Sequence, residues 1–418
     1  MKKYDSYKDS GIEWIGEIPE NWQVNRLKYI GQSIIGIIYS PDDVVYSSKN
    51  AKLVLRASNI QDGELSLTDS VYVNTDIREN QILKKGDILI CSRSGSENLI
   101  GKNILIDEDV VGETFGAFMT VFRTDIPDFV YNYFNSQVFK GQTALFKTST
   151  INQLTVNTLN NFVIALPPIE EQTSIASFLD RKTSEIDEII ADKKRLLELY
   201  EEEKTAIINQ AVTKGINPDA PMKDSGIEWL GEIPDNWEAK KLRYITKITT
   251  GAKDTENREE DGEYPFYVRS PNIERISTYS FDGEGILTAG DGVGVCKVWH
   301  YVNGKFDFHQ RVYLIYDFKE IIGKLLFYYM KLNFIHDVLR LSAKSTVDSL
   351  RRNMFLDFQV VCPKNEEEQI AIVHHIESEC SKIDFKKART EELIELLTEY
   401  RTALISEAVT GKIKVTED

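Results

Sequence analysis

Chemistry in this chain would have to come from five histidines, four cysteines and a few glycine-flanked carboxylates. His300, His309, His336, His374 and His375 form no HExxH pair and no set at metal-ligand spacing. Cys91, Cys296, Cys362 and Cys380 stand alone, so neither a disulfide framework nor a zinc knuckle is indicated. That usage fits a reduced, cytoplasmic setting. Gly290-Asp291-Gly292-Val293-Gly294 has the glycines of a phosphate loop but lacks the lysine and a clean strand–helix frame. It reads as a tight turn, where glycine also lets backbone approach a ligand. Leu166-Pro167-Pro168-Ile169 has the prolines of an adenine-methylating acceptor motif but neither its polar first residue nor its aromatic. It reads as a strand-to-helix breaker. Asp87 and Asp291 each follow a glycine and suit turn capping better than acid–base work. The residues thus offer no catalytic, cofactor-binding or metal-binding set.

What the sequence does offer is a repeat. Residues 170–216 return, without a gap, as residues 367–413. Leu179, Ile186, Ile189, Leu197, Tyr200, Ile207 and Ala211 recur at helical spacing, as do Ile376, Ile383, Ile394, Leu397, Tyr400, Leu404 and Ala408 in the copy. A helix of about 44 residues is roughly 66 Å long and needs a partner along its length. The other copy is the natural partner, in a coiled coil. The opening of each half-chain repeats as well. Lys8-Asp9-Ser10-Gly11-Ile12-Glu13-Trp14 returns as Lys223-Asp224-Ser225-Gly226-Ile227-Glu228-Trp229, and the match runs to Tyr29-Ile30 and Tyr244-Ile245. Ser149-Thr150 and Ser345-Thr346 also correspond, as do Pro167 and Pro363.

Residues 31–148 and 246–344 share no alignable pattern. In the first, alternation and turn signals predict strands over 52–56, 70–73, 87–91, 103–106 and 119–123, then a helix over 128–140. In the second they predict strands over 264–268, 285–288, 294–300 and 312–316, then a helix over 319–341. The expected class is α+β, with two globular α/β modules separated by two long helices and related by a pseudo-twofold repeat. The expected boundaries are 1–167 for the first module, 168–215 for the first helix, 216–362 for the second module and 363–418 for the second helix and tail.

Composition bounds the rest. The 418 residues allow two or three domains, and 42% hydrophobic residues support real cores. No segment is long and apolar enough to span a membrane, and no signal peptide is read. The net charge of −16 argues at first sight against nucleic acid. Residues 170–213 and 366–410 carry −11 of it, leaving the modules near neutral and free to carry a basic face.

The duplicated Lys-Asp-Ser-Gly-Ile-Glu-Trp openings, the Leu166-Pro167-Pro168-Ile169-Glu170-Glu171-Gln172 entry and Gly304-Lys305-Phe306-Asp307-Phe308-His309-Gln310-Arg311 resemble the specificity subunit of type I restriction–modification systems. The resemblance covers essentially the whole chain. It implies two target recognition domains, each reading half of a split double-stranded DNA site, and an antiparallel coiled coil that sets their separation. It further implies two docked methyltransferase subunits and added motor-nuclease subunits. S-adenosylmethionine and ATP with Mg would then be used by those partners, and this chain would be no enzyme. The contrasting reading is an acidic coiled-coil adaptor without sequence-specific DNA binding.

Under that resemblance, polar and cationic residues of the divergent middles are the candidates for DNA contact, since Arg and Lys read guanine and Ser, Thr and Lys hold phosphates. They are Arg93, Ser94, Lys102, Lys147 and Thr148 in the first module. In the second they are Lys253, Arg269, Lys297, Gln310, Arg311 and Lys344. Arg311 could equally be a structural partner of Asp291. The repeated Ser-Thr pairs would position backbone or phosphate. Trp14, Trp22, Trp229 and Trp237 are expected as module core or methylase-docking anchors, and Tyr200 and Tyr400 as helix core.

Overall fold

The computed structural model describes residues 2–46, 51–61, 63–96, 99–144, 153–341 and 349–415, apart from the side chains of Val293 and Leu341. The chain divides into two compact units, residues 1–193 with 392–418, and residues 194–391. Each unit holds one module and half of each long helix. These helices are α1 (Ile169–Lys214) and α2 (Glu366–Val409). No helix is long and apolar enough to cross a membrane among the described residues.

Within each unit the apolar stripes of the two helices share a core. In the first unit Ile175, Leu179 and Ile186 of α1 share a core with Leu404, Ile405 and Ala408 of α2. In the second, Ala211 and Val212 share one with Ile372, Ile376 and Cys380. Glu201 meets Lys387, and Lys204 meets Asp384 at 2.7 Å, so one helix number rises as the other falls. The pairing is antiparallel. Two stripe residues depart from expectation. Ile189 is exposed, and Ile190 packs in its neighbourhood instead. Tyr400, expected in the core, is exposed, while Tyr200 is half-buried beneath the Lys386 ammonium. A two-helix seam is narrower than the stripe that a 3.6-residue period lays down, so its edge residues face out.

The repeated motifs turn out to fasten each helix to its module. Glu171, in the first turn of α1, accepts the indole N–H of buried Trp22 at 3.0 Å and the Tyr4 hydroxyl. Glu368, in the first turn of α2, accepts the indole of Trp237 at 2.8 Å and the Asn236 amide at 2.7 Å. Gln172 and Gln369 each donate to the preceding proline carbonyl, of Pro167 and Pro363. At the far ends Gly215 (φ +78°) and Gly411 (φ +69°) supply the left-handed cap that ends a helix. Trp22 and Trp237 are therefore core, as expected; Trp14 is about half exposed and Trp229 stacks on His336.

The first module centres on β1 (Gly31–Ile35), β2 (Ile88–Cys91) and β3 (Met119–Thr124). With Asn103–Leu105 they form an antiparallel sheet in which β3 lies between β1 and β2. The expected helix over 128–140 is two helices, Pro127–Phe134 and Gln137–Ala144, broken where Ser136 caps the second. The second module centres on β4 (Lys247–Thr250), β5 (Phe281–Ala289) and β6 (Val312–Tyr316). They belong to a six-stranded sheet with β6 between β4 and β5. The strand expected over 294–300 starts only at Trp299, because Gly292–Gly294 forms a tight helical turn. Helix Gly323–Leu341 covers this sheet.

The divergent middles share a core of strand pairings, although the first divides its strands between two four-stranded sheets and the second holds six in one. Ile88 pairs with Phe122 and Cys91 with Met119; Ile286 pairs with Ile315 and Ala289 with Val312. Val121 pairs with Ile34, and Leu314 with Thr249. Phe115 pairs in parallel with Leu55, and Phe308 with Tyr267. Both modules place a glycine where a strand crosses a carbonyl. A Cβ on Gly36 would sit 2.3 Å from the Phe115 carbonyl oxygen, and one on Gly251 would sit 1.9 Å from that of Phe308.

Candidate nucleic-acid interface

In each module the loops after β2 and β5 and before β3 and β6 meet where these inner strands end, at one rim of the sheet. In the first, the Phe118 carbonyl accepts from the backbone N–H groups of Ser92 and Arg93, each at 3.0 Å. In the second, the Arg311 carbonyl accepts from Gly290 at 2.8 Å. The chain re-enters beside them in the same way. Leu154 donates to Ser92 and Leu350 to Gly290, both at 2.7 Å, and bridges pair Arg93 with Gln153 and Asp291 with Ser349. Ser92 thus corresponds to Gly290, Arg93 to Asp291 and Phe118 to Arg311.

The second module gathers most of its expected residues here. Asp291, half-buried, receives Nη1 of Arg269 at 3.0 Å and Nη1 of Arg311. Burial pushes its carboxyl up, but the two guanidiniums outweigh burial and hold it below the usual carboxylate range. Beside this pair His309 is 2% exposed, and its Nδ1 accepts the Arg311 backbone N–H at 2.9 Å. Gln310 donates its side-chain amide to Asp254 at 2.6 Å, and its backbone N–H reaches the Lys253 carbonyl at 2.7 Å. The Asp254 carboxyl is lowered, first by the Thr255 backbone N–H and also by Gln310. Lys253 itself forms a bridge with His309. Lys297 is exposed in the loop after Gly294, where Cys296 adopts φ 57°. That loop lies against Arg269, since a Cβ on Gly294 would come within 2.4 Å of the Arg269 carbonyl oxygen. Lys253, Arg269, Lys297, Gln310 and Arg311 therefore belong to one neighbourhood. Lys344 lies outside the described residues.

The first module gathers fewer. Arg93 is exposed, with its guanidinium carbon 5.3 Å from the centre of the exposed Phe118 ring. Ser94 follows it and accepts the Ser96 backbone N–H at 3.1 Å. Lys102 is half-buried across the strand end, and its carbonyl accepts from Cys91 at 2.8 Å. Lys147 and Thr148 lie outside the described residues, as do the Ser149-Thr150 and Ser345-Thr346 pairs.

Other residues take structural places. Asp87, 2% exposed, caps Lys84 and receives Nε and Nη2 of Arg123, both at 2.7 Å. Asp291, expected as a turn cap, precedes the Gly292–Gly294 turn without a side-chain cap and is instead the shared partner of two arginines. Cys91, Cys362 and Cys380 are buried, and burial pushes the Cys362 thiol up to about 11. Among the described residues no three His, Cys, Asp or Glu side chains are grouped to hold a metal. Sequence reading passes over Phe118 and Asp254, because a lone phenylalanine and a lone aspartate carry no period. Their signal lies in position, one directly before a strand and one directly after a candidate lysine.

Comparison with known proteins places this arrangement. The family model described as the type I restriction modification DNA specificity domain matches residues 19–199 and 234–395. The EcoDI specificity subunit of Escherichia coli is 28% identical over 184 residues, which is 44% of this chain and 40% of that protein. A putative MjaX specificity subunit of Methanocaldococcus jannaschii is 29% identical over 263 residues, 60% of this chain and 59% of that one. The matches thus span less than two thirds of these relatives. A chain from a solved type I R-M system aligns with TM-score 0.72 at 15% identity, covering 95% of this chain and 99% of that one. The HsdS subunit from Thermoanaerobacter tengcongensis aligns with TM-score 0.52 at 14% identity, covering 95% and 98%. The family match covers both halves of the repeat, and the chain belongs to the family of type I restriction modification DNA specificity domains.

Proposed function

We propose that this chain is the DNA sequence-recognition subunit of a type I restriction–modification complex and is not itself an enzyme. Each module reads one half of a split double-stranded site. The paired helices set the spacing and dock two methyltransferase subunits, to which motor-nuclease subunits are added. S-adenosylmethionine and ATP with Mg serve those partners. One observation carries the reading: two modules with the same core strand pairing present different side chains where those strands end. A repeated frame with divergent edges suits two different half-sites. Half-sites on one face of a duplex lie about 34–36 Å, or a multiple, apart, and helices of this length suit such a separation. The helices also leave apolar side chains for partners, with Ile189, Leu393 and Leu396 exposed in the first unit and Leu199 and Phe385 in the second.

Binding measured with the chain assembled on its methyltransferase tests the reading. A split motif is expected, with affinity falling steeply as salt rises, because phosphate contacts release counterions. Stable assembly with no sequence preference would favour the acidic adaptor instead.

A further inference from the structure

The two sheet edges are equivalent in backbone yet opposite in how they hold an arginine. In the first module the arginine comes from the strand end after β2, as Arg93, and its partner is the Phe118 ring. In the second it comes from the other side, as Arg311, and its partner is Asp291 at the position equivalent to Arg93. A guanidinium over a ring spends none of its N–H groups there. Among the described residues no carboxylate pairs with Arg93. In the second module each guanidinium meets Asp291 through Nη1 alone. Nε and Nη2 of Arg311 are not used by that contact, and its side chain is 61% exposed. Each module therefore holds a guanidinium among these loops and leaves donor groups facing solvent.

Guanine presents two acceptors, N7 and O6, in the major groove, and an arginine fork matches both. A fixed fork is what base reading needs, since less side-chain freedom is lost on contact. Resting on the DNA-recognition reading, we infer that the pair at this edge, Arg93 with Phe118 and Arg311 with Asp291, is each module's guanine-reading position. Each half-site then contains a guanine set by its own pair. Swapping which strand supplies the arginine changes where the guanine falls within the half-site. Arg269, sharing Asp291, keeps that carboxylate ionised and in place.

The test is selection from a random duplex pool by the chain assembled with its methyltransferase. Wild type, Arg93→Ala, Arg311→Ala, Phe118→Leu and the two Arg→Lys variants are compared. Wild type should select a guanine in each half. Arg93→Ala should lose roughly 5- to 150-fold of preference at one guanine of one half only, and Arg311→Ala the same in the other half. Phe118→Leu should weaken the base that Arg93→Ala affects. The Arg→Lys variants keep the charge but not the fork, so they should lose guanine preference while holding most of the overall affinity. An unchanged motif with affinity lowered evenly across sequences would mean phosphate contact and would overturn the inference. So would a wild-type motif without guanine in either half. A wild type that selects no split motif would instead overturn the DNA-recognition reading itself.

Discussion

His309 shows how the second module's edge depends on one buried side chain. Its Nδ1 accepts a backbone N–H, so the neutral ring is the form the fold requires. Burial lowers its pKa from 6.5, Arg269 adds to the lowering, and Asp254 opposes it. Burial lowers His300 as well. A folded pKa below the unfolded one gives stability that is present above about 6.5. That stability is lost as pH falls through the folded values. Urea midpoints should therefore drop between pH 7 and pH 5, and His309→Gln should flatten part of that drop. The glycine caps give a second comparison at this scale. Gly215→Ala should cost about 1–2 kcal/mol for its positive φ, the new Cβ lying 3.3 Å from the Trp237 ring and 3.6 Å from Pro234. Gly411→Ala should cost more, since its Cβ would lie 2.4 Å from Pro19. Denaturant unfolding of the two variants ranks them. Trp237→Phe should cost about 1.5–3 kcal/mol, the range for a hydrogen bond to a charged group, read by the same method.

At the scale of elements, the long helices hold together through their stripes rather than their charges. Arg401 meets Asp187 at 2.9 Å and Lys204 meets Asp384 at 2.7 Å, but both pairs are solvent-facing. Removing either should change stability by less than about 1 kcal/mol. Leu404→Ala, at 2% exposure, should cost about 2–5 kcal/mol. Urea unfolding separates the two classes. The helices were legible in sequence because a stripe repeated over 47 residues has only one reading. The strands Lys52–Leu55, Ile88–Cys91 and Met119–Thr124 were legible from alternation and turns. The core of strand pairings that the modules share was not. It is built from backbone pairing, which Ile88 with Phe122 satisfies as well as Ile286 with Ile315. The arginine edge was half legible: Arg93, Arg269 and Arg311 announce themselves by charge. The Asp291–Arg311 pair was open to reading from charge, whereas Phe118 gains its meaning only from what the register sets against it.

At the scale of the whole chain, its two described ends meet within one unit. Lys2 and Lys414 form a bridge, with the Lys414 N–H donating to the Lys2 carbonyl at 2.8 Å. Met1 and Asp418 lie outside the described residues. Joining the ends and opening the chain at the Asn217–Pro221 linker should therefore preserve folding and assembly. Loss of assembly in a folded permutant would contradict this expectation. The central claim is that each module reads its own half-site on a fixed ruler. Mapping of methylated adenine across the genome tests it most directly, in cells expressing this chain with the proposed methyltransferase partner, before and after residues 246–344 are exchanged for another module. The account predicts a split motif with a spacer of constant length, of which one half alone changes on exchange. Methylation that ignores this chain, with the proteins folded and associated, or an exchange that alters both halves together, would contradict it.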